Sequence, residues 1–208
     1  MTAGRDDFLA QVDVSRETLA QLDVYADLLT KWNPRINLVA PATLPDLWSR
    51  HFLDSAQLLE CIYAPPNTWV DLGAGAGFPG LVVAMLANDR GWPTEFTLIE
   101  SDQRKAAFLR TVLRATDIKA TVLTDRIDAV APLNSDIVSA RALTDLTGLL
   151  HYCEIHLSPA GTAIFPKGRR FEGELTKALE TYRFHCEKVP SKTDQGAVIL
   201  KITEIERV

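Results

Sequence analysis

The first third of the chain shows apolar residues at helical spacing. Between Arg16 and Trp32 they recur every three or four positions, and Ser15 precedes them as a candidate helix cap. Pro34 lacks a backbone N–H group and is expected to break this helix. A second helix is predicted over 44–61. Residues 1–66 are therefore predicted to form a helical extension that packs on the rest of the molecule.

From residue 67 the pattern changes to short apolar runs that alternate with helical segments. Strands are predicted near 68–72, 95–100, 120–124, 135–139 and 161–165, with a final strand pair over 184–189 and 197–205. Helices are predicted near 79–89, 102–116, 144–156 and 171–182. Such alternation is typical of a parallel, doubly wound sheet. We therefore predict an α/β domain over 67–208, with a mostly parallel sheet and an antiparallel C-terminal strand.

A glycine-rich stretch joins the first predicted strand to the helix that follows it. The stretch runs from Asp71 to Gly80, and Gly75, Gly77 and Gly80 fit the spacing G-x-G-x-x-G. Glycines let the backbone turn sharply and leave no Cβ between the backbone and a ligand. Because a strand precedes the stretch and an apolar helical run follows it, we predict the nucleoside-binding turn of a Rossmann-like βα unit.

Two nucleoside cofactors, NAD and S-adenosylmethionine, are compatible with such a turn. A dinucleotide needs backbone N–H groups at the helix start, but Asp71 places a carboxylate there and Pro79 removes one donor. The ammonium and sulfonium groups of S-adenosylmethionine would instead be attracted by a carboxylate. Glu100 ends the second predicted strand and fits a ribose-binding role for either cofactor. The residues favour S-adenosylmethionine. An NAD-dependent oxidoreductase stays the alternative, although no suitable His/Asp or Tyr/Lys catalytic pair is evident.

Composition and charge narrow the class of protein. The chain has 208 residues and is 47% hydrophobic. It has no apolar run of about 18–20 residues that would span a membrane, and no apolar signal region is seen at its N-terminus. Three widely spaced cysteines favour a reducing cytoplasm. His151 and His156 would point in different directions on a helix, so no metal site is expected. The net charge of −5 argues against nucleic acid, but basic residues do gather near 104–105 and 167–170.

The segment after the fourth predicted strand bears on which atom accepts a methyl group. Enzymes that methylate exocyclic amines of bases often carry an Asn/Asp-Pro-Pro-aromatic turn there, whereas this chain has Ser139, Ala140 and Arg141. Methylation of a base at C5 needs a cysteine nucleophile, and none lies near these loops in the sequence. A ring nitrogen with a free lone pair therefore remains as the acceptor. Arg141, at the end of a strand, is expected to serve the site.

Further motifs extend from about residue 18 to the end of the chain. They are Lys31-Trp32-Asn33, Ile36-Asn37-Leu38, Arg50-His51-Phe52-Leu53-Asp54-Ser55, the glycine-rich stretch, Glu100-Ser101, Arg104-Lys105, Phe108-Leu109, Ser139-Ala140-Arg141-Ala142 and Pro166-Lys167-Gly168. In order and spacing they closely resemble the bacterial family RsmG, also called GidB, of small-subunit rRNA guanine-N7 methyltransferases. The motifs that precede the glycine-rich stretch are much more specific for this family than the glycine-rich stretch itself.

The resemblance implies S-adenosylmethionine as the methyl donor and N7 of a guanine in 16S rRNA, near the decoding region, as the acceptor. The resemblance and the residue pattern together predict which residues contact the cofactor: Asp71, Gly73, Gly75, Phe78, Glu100, Ile127, Asp128 and Arg141. The residues expected at the RNA substrate are Asn33, Arg104, Lys105, Lys167 and Arg169. Arg141, His51 and Asp54 are expected to position the guanine. No general base is expected, because N7 offers its lone pair unaided.

Other interpretations stay open at this point. The cluster over 50–54 could instead cap a helix or dock the extension. The protein could also be a non-catalytic RNA-binding protein that retains a nucleoside pocket. The expected partner is 16S rRNA or a small-subunit particle. We expect a cytoplasmic monomer with no membrane contact.

Overall fold

The structure is a computed structural model that describes residues 2–208; the first residue of the predicted 1–66 extension lies outside the described part. Its α-helices are α1 (Thr2–Leu9), α2 (Arg16–Ile36), α3 (Asp54–Ala56), α4 (Gly80–Asp89), α5 (Gln103–Thr116), α6 (Leu146–His156) and α7 (Phe171–Ala178). Its strands are β1 (Thr68–Leu72), β2 (Glu95–Ile99), β3 (Thr121–Leu123), β4 (Ser135–Ala140), β5 (Leu157–Lys167), β6 (Tyr182–Pro190) and β7 (Val198–Arg207).

The strands form one seven-stranded sheet in the order β3-β2-β1-β4-β5-β7-β6. The pairs from β3 to β5 are parallel, and β7 runs antiparallel to both β5 and β6. This confirms the predicted α/β class with its antiparallel C-terminal end. The strand order reverses between β1 and β4, and ligands of such sheets bind in the crevice beyond the carboxyl ends of the strands at that point.

Side chains of β1 point alternately to the two faces of the sheet, and each face is covered by helices. Trp69 packs in a core cluster with α4 and with Leu22 and Leu29 of α2, whereas Val70 and Leu72 pack in a second cluster with α6. Helix α4 is apolar on all sides because it lies between the sheet and the N-terminal helices. The helices of the extension thus share a core with the α/β part. Within residues 2–208, no helix is long and apolar enough to cross a membrane.

The prediction that Pro34 breaks the first helix is wrong, because α2 continues through it to Ile36. Proline removes one intrahelical hydrogen bond, and this loss is tolerated here in the last turn of the helix. The helix ends at Asn37, which has a left-handed φ of 47° and donates its N–H to the Asn33 carbonyl. Ser15 caps the start of α2 as predicted, accepting from the Thr18 N–H.

The helix predicted over 44–61 is irregular. A 3₁₀ turn at Pro41–Thr43 is followed by a π-helical turn at Trp48–Leu53, then α3, and then a 3₁₀ turn at Gln57–Cys61. Apolar spacing indicates a helical segment but does not separate these hydrogen-bonding patterns from one another. We refer to Trp48–Cys61 as the irregular helical segment.

The helix predicted over 171–182 ends earlier, at Ala178. Tyr182 is already in β6, where it pairs with Arg207. Its hydroxyl donates to the Glu154 carboxylate on α6, and its ring is buried. Sheet pairing and burial therefore override the helical pattern at this position.

We expect Tyr25→Phe to lower the free energy of unfolding by about 1–3 kcal/mol. The buried Tyr25 hydroxyl on α2 donates to the Ala76 carbonyl in the glycine-rich stretch, and phenylalanine leaves that buried carbonyl without its donor. Urea unfolding measures the change. Tyr63→Phe is the matched control, because Tyr63 is 87% exposed and should lose almost nothing. Equal effects of the two substitutions would contradict the assignment.

Candidate active site

The turn between β1 and α4 requires glycine. Gly73 and Gly75 adopt left-handed φ angles of 61° and 55°. A Cβ on Gly73 would also approach a Leu143 methyl group at 2.7 Å, so this glycine is needed for space as well as for conformation. On the side that faces the loop after β4, the turn therefore has no side chain at Gly73, and Leu143 lies close to its backbone.

Asp71 lies beneath this turn and not at its mouth. The side chain is only 1% exposed, and its carboxylate accepts from the Ser139 hydroxyl at 2.7 Å and from the Gly80 N–H at 3.1 Å. Ser139 in turn accepts from the Trp69 indole N–H. Burial raises the pKa of Asp71 to about 7, against the lowering effect of its hydrogen bonds. The Asp71 oxygens are thus held inside the protein, and a direct contact of this side chain with the cofactor stays a prediction.

A cavity of about 350 Å³ opens beside the glycine turn. We call it the glycine-loop cavity; it is lined by Gly73, Gly75, Ile99, Glu100, Ser101, Lys105, Asp125, Arg126, Ile127, Asp128, Ala142, Leu143 and Tyr152. Glu100 accepts from the Gly75 N–H at 2.8 Å and from the Asp102 N–H at 2.7 Å, so this carboxylate joins the glycine turn to the start of α5. Of the residues expected at a cofactor, Gly73, Gly75, Glu100, Ile127 and Asp128 line this cavity.

The pattern of the sequence missed two residues at this cavity. Tyr152 lines it from α6, and Leu143 lines it from the loop after β4. His156, also on α6, is fully buried, and its Nε2 donates to the Ile127 carbonyl at 2.9 Å. This contact joins residues 29 positions apart, so no local sequence signal reports it.

A second cavity, of about 520 Å³, lies beyond the ends of β4 and β5. We call it the strand-end cavity; it is lined by Arg50, Asp54, Gln57, Arg141, Ala142, Thr144, Pro166, Lys167, Gly168, Glu174, Ser191, Thr193, Asp194, Ala197, Val198 and Ile199. Ala142 lines both cavities and has a left-handed φ of 53°. The two cavities are therefore neighbours across the backbone that follows β4.

Arg141 lies at the centre of a cluster that includes His51 and Asp54 of the 50–54 motif. Its guanidinium donates to the Asp54 carboxylate at 3.2 Å and to His51 Nδ1 at 2.8 Å, and it lies 5.0 Å from the centre of the Phe78 ring. Asp54 therefore pairs with Arg141 and not with Arg50. Arg141 lines the strand-end cavity, and neither Arg141 nor Phe78 lines the glycine-loop cavity.

His51 is a neutral group in this cluster. An arginine can only donate, so Nδ1 of His51 accepts and Nε2 carries the proton, which it donates to the Thr43 hydroxyl at 2.9 Å. Burial and the nearby Arg141 and Arg50 charges lower the pKa of His51 to about 3. Its ring also stacks on Phe78. This histidine fixes geometry and is a poor proton acceptor at neutral pH.

The residues expected at RNA fall into different environments. Asn33 is only 2% exposed, and its side-chain oxygen accepts from the Val39 N–H, so its contact with RNA stays a prediction. Arg104 is in the first turn of α5, and Arg169 is in the turn before α7; their side chains are 70% and 80% exposed. Lys105 lines the glycine-loop cavity.

Lys167 differs from the other basic candidates because its side chain is only 9% exposed. It is the last residue of β5, and its ammonium group donates to the Glu174 carboxylate at 2.7 Å. Within residues 2–208, no group of three or more His, Cys, Asp or Glu side chains is arranged to hold a metal ion.

Sequence comparison gives a consistent match over most of the chain. The family model GidB, rRNA small subunit methyltransferase G, matches residues 18–199. A ribosomal RNA small subunit methyltransferase G from Ruegeria pomeroyi is 51% identical over 198 residues, or 95% of this chain and 96% of the relative. A protein of the same description from Paramagnetospirillum magneticum is 50% identical over 204 residues, or 98% of this chain and 97% of the relative.

Comparison with solved structures supports the fold. The chain is similar to a SAM-dependent methyltransferase from Aquifex aeolicus, with a TM-score of 0.56 and 14% identity, covering 85% of this chain and 96% of that one. It is also similar to a TehB-like SAM-dependent methyltransferase from Corynebacterium glutamicum, with a TM-score of 0.52 and 13% identity, covering 72% and 86%. At these identities the likeness shows a Rossmann-like methyltransferase fold.

We expect Asp71→Asn to change how stability depends on pH. In the unfolded chain this carboxyl ionises near its ordinary pKa of 3.8, whereas the folded protein keeps the proton up to about pH 7. The folded state thus binds more protons between these values, and the contribution of Asp71 to stability falls as pH rises through them. Asparagine cannot ionise, so the free energy of unfolding of the variant minus that of the wild type should rise over this range. Urea unfolding at several pH values measures this difference, and a constant value would contradict the assignment.

Proposed function

The chain belongs to the rRNA small subunit methyltransferase G family, and we propose that it transfers a methyl group from S-adenosylmethionine to N7 of a specific guanine in 16S rRNA, near the decoding region. The observation that carries the proposal is the pair of neighbouring cavities at the switch point of the sheet. The glycine-loop cavity suits a nucleoside donor, and the strand-end cavity suits the base that accepts the methyl group. Residues 67–208 would form the transferase domain, and the 1–66 extension would complete the acceptor side.

The residues of the glycine-loop cavity fit S-adenosylmethionine better than NAD. The N–H of Gly80, at the start of α4, is already bonded to Asp71, so it is not free for a pyrophosphate. Glu100 is held at the end of β2, where a carboxylate binds ribose hydroxyls in this class of sheet. Ile127, Asp128 and Tyr152 would hold the adenine side. When bound, the cofactor supplies an electrophilic methyl group.

The task of the protein in this reaction is alignment. Guanine N7 has a free lone pair at neutral pH, so the attacking atom need not lose a proton. Arg141 lines the strand-end cavity, where His51 and Asp54 fix its orientation and Phe78 packs against it. This cluster would hold N7 in line with the methyl carbon, and alignment of this kind lowers the barrier by removing the entropy cost of bringing two reactants together.

The RNA partner is proposed from the family and from the exposed basic residues at this edge of the sheet. Arg104 and Arg169 are largely exposed and would contact phosphates, with Lys105 beside the cofactor. Naked 16S rRNA and a small-subunit particle are both compatible with these contacts. Both cavities are built from one chain, so we propose that it acts as a monomer. A ribosomal RNA substrate places its action in the cytoplasm.

The test is methyl transfer with a labelled donor to small-subunit RNA from cells that lack this protein. We expect label at N7 of one guanine. We expect Gly73→Val to abolish both transfer and the binding of S-adenosylmethionine in calorimetry, because valine is strained at this φ and its side chain meets Leu143.

Gly173→Val is the matched control, because this exposed glycine of α7 has open space around it and should keep cofactor affinity. NAD should not bind measurably to the wild type. Tight binding of NAD without binding of S-adenosylmethionine would indicate an oxidoreductase. Cofactor binding without any methyl transfer to RNA would favour a non-catalytic RNA-binding protein.

A further inference from the structure

We propose that Lys167 and Glu174 determine base specificity by reading the O6, N1 and N2 edge of the target guanine in the strand-end cavity. This inference rests on the proposed function and deepens it. The sequence predicts that Lys167 lies at the RNA substrate. Its burial and its ion pair point to a role inside the cavity rather than on the exposed surface.

The order of groups along the cavity wall matches the order of groups around a guanine. Ala142 lines both cavities and marks the place where N7 would face the donor. Thr144 follows, and its carbonyl accepts from the Lys167 ammonium group at 3.2 Å. Lys167 then donates to Glu174 at 2.7 Å. Around guanine the sequence of groups is N7, then O6, then N1–H and the N2 amino group. With N7 placed at Ala142, we assign O6 to Lys167, and N1–H and N2 to Glu174.

The hydrogen-bonding capacity of the pair fits this edge. One oxygen of Glu174, Oε2, accepts from both Lys167 and the Leu146 N–H. The other oxygen, Oε1, has no hydrogen-bond partner among residues 2–208, and it is free to accept from N1–H and N2. Two protons of the Lys167 ammonium are used by Thr144 and Glu174, and the third can be donated to O6. Adenine would set an amino group against the ammonium and an unprotonated N1 against the carboxylate, so the same pair rejects it.

The other carboxylates of this cavity are less suited to the task. One carboxylate oxygen of Asp54 accepts a hydrogen bond from Arg141, and the other accepts from Gln57 and Thr193. Asp194 is half exposed, and it accepts from the Gly196 N–H and pairs with Arg169.

A carboxylate at N1–H and N2 would also favour the transition state over the bound substrate. Attack by N7 forms the N–CH₃ bond and breaks the S–CH₃ bond, and the electron pair of that bond leaves with sulfur. The purine therefore gains positive charge, which makes N1–H a stronger donor. The bond to Glu174 would strengthen as charge develops, and only such differential contacts accelerate the chemical step.

The experiment compares small-subunit RNA that carries guanosine at the target position with the same RNA carrying inosine, which lacks the 2-amino group but keeps N7, O6 and N1–H. For the wild type, kcat/KM should fall about 10- to 100-fold with inosine, the factor expected for one hydrogen bond to a charged acceptor. In Glu174→Gln the amide oxygen stays with Lys167 and Leu146, and its NH₂ group faces the base. The guanosine-to-inosine ratio should then fall close to 1.

Asp194→Asn is the matched control, because it removes another carboxylate of the same cavity and should keep the wild-type ratio. Equal rates on guanosine and inosine for the wild type would overturn the inference without any variant. A Glu174→Gln variant that slows both substrates by the same factor would overturn it as well, since that is the effect of a purely structural role. Failure of the wild type to methylate guanosine at all would instead contradict the proposed function.

Discussion

The buried carboxylate of Asp71 is the constraint on which the site depends. It joins β1 to β4 through Ser139 and fixes the start of α4 through the Gly80 N–H. A Cβ on Gly80 would come within 2.7 Å of Asp71, so the helix can start this close to the strand only with glycine. Because the glycine turn lies between these anchored points, its shape is set by the core and not by a ligand. Burial makes this carboxyl group costly to ionise even though its hydrogen bonds favour the ionised form, and its raised pKa reflects that cost.

Arg141 extends this rigid centre to parts of the chain that are distant in sequence. It reaches His51 and Asp54 of the irregular helical segment, and Asp54 in turn accepts from Thr193 in the loop between β6 and β7. The strand-end cavity is thus closed on one side by the N-terminal extension and on the other by the C-terminal hairpin. The hydrogen bonds from Arg141 to Arg50, His51 and Asp54 all reach the extension, so the extension orients the Arg141 side chain beside Phe78.

Local signals in the sequence predicted the sheet and several of the residues that line the glycine-loop cavity. The alternation of apolar runs, the glycine spacing and Glu100 at the end of β2 each depend on neighbouring residues only. Other features depend on packing between distant segments, and the sequence did not reveal them. One example is the burial of Asp71. Another is the contact between Arg141 and His51, two residues that are 90 positions apart in the sequence. Two predictions failed for other reasons. Pro34 does not break α2 because a proline is tolerated in the last turn of a helix, and apolar spacing alone could not show that Trp48–Leu53 forms a π-helical turn.

We propose that this site works by positioning an acceptor that is already nucleophilic. The most direct measurement is the single-turnover rate of methyl transfer in the bound RNA complex between about pH 7.5 and 8.5. His51, with its pKa near 3, stays neutral throughout, so the rate should be nearly flat in the wild type. In His51→Ala the rate should be lower but equally flat, because only positioning is lost. A rate that rises steeply with pH, in a manner abolished by one side-chain substitution, would show that a general base is used and would contradict the claim.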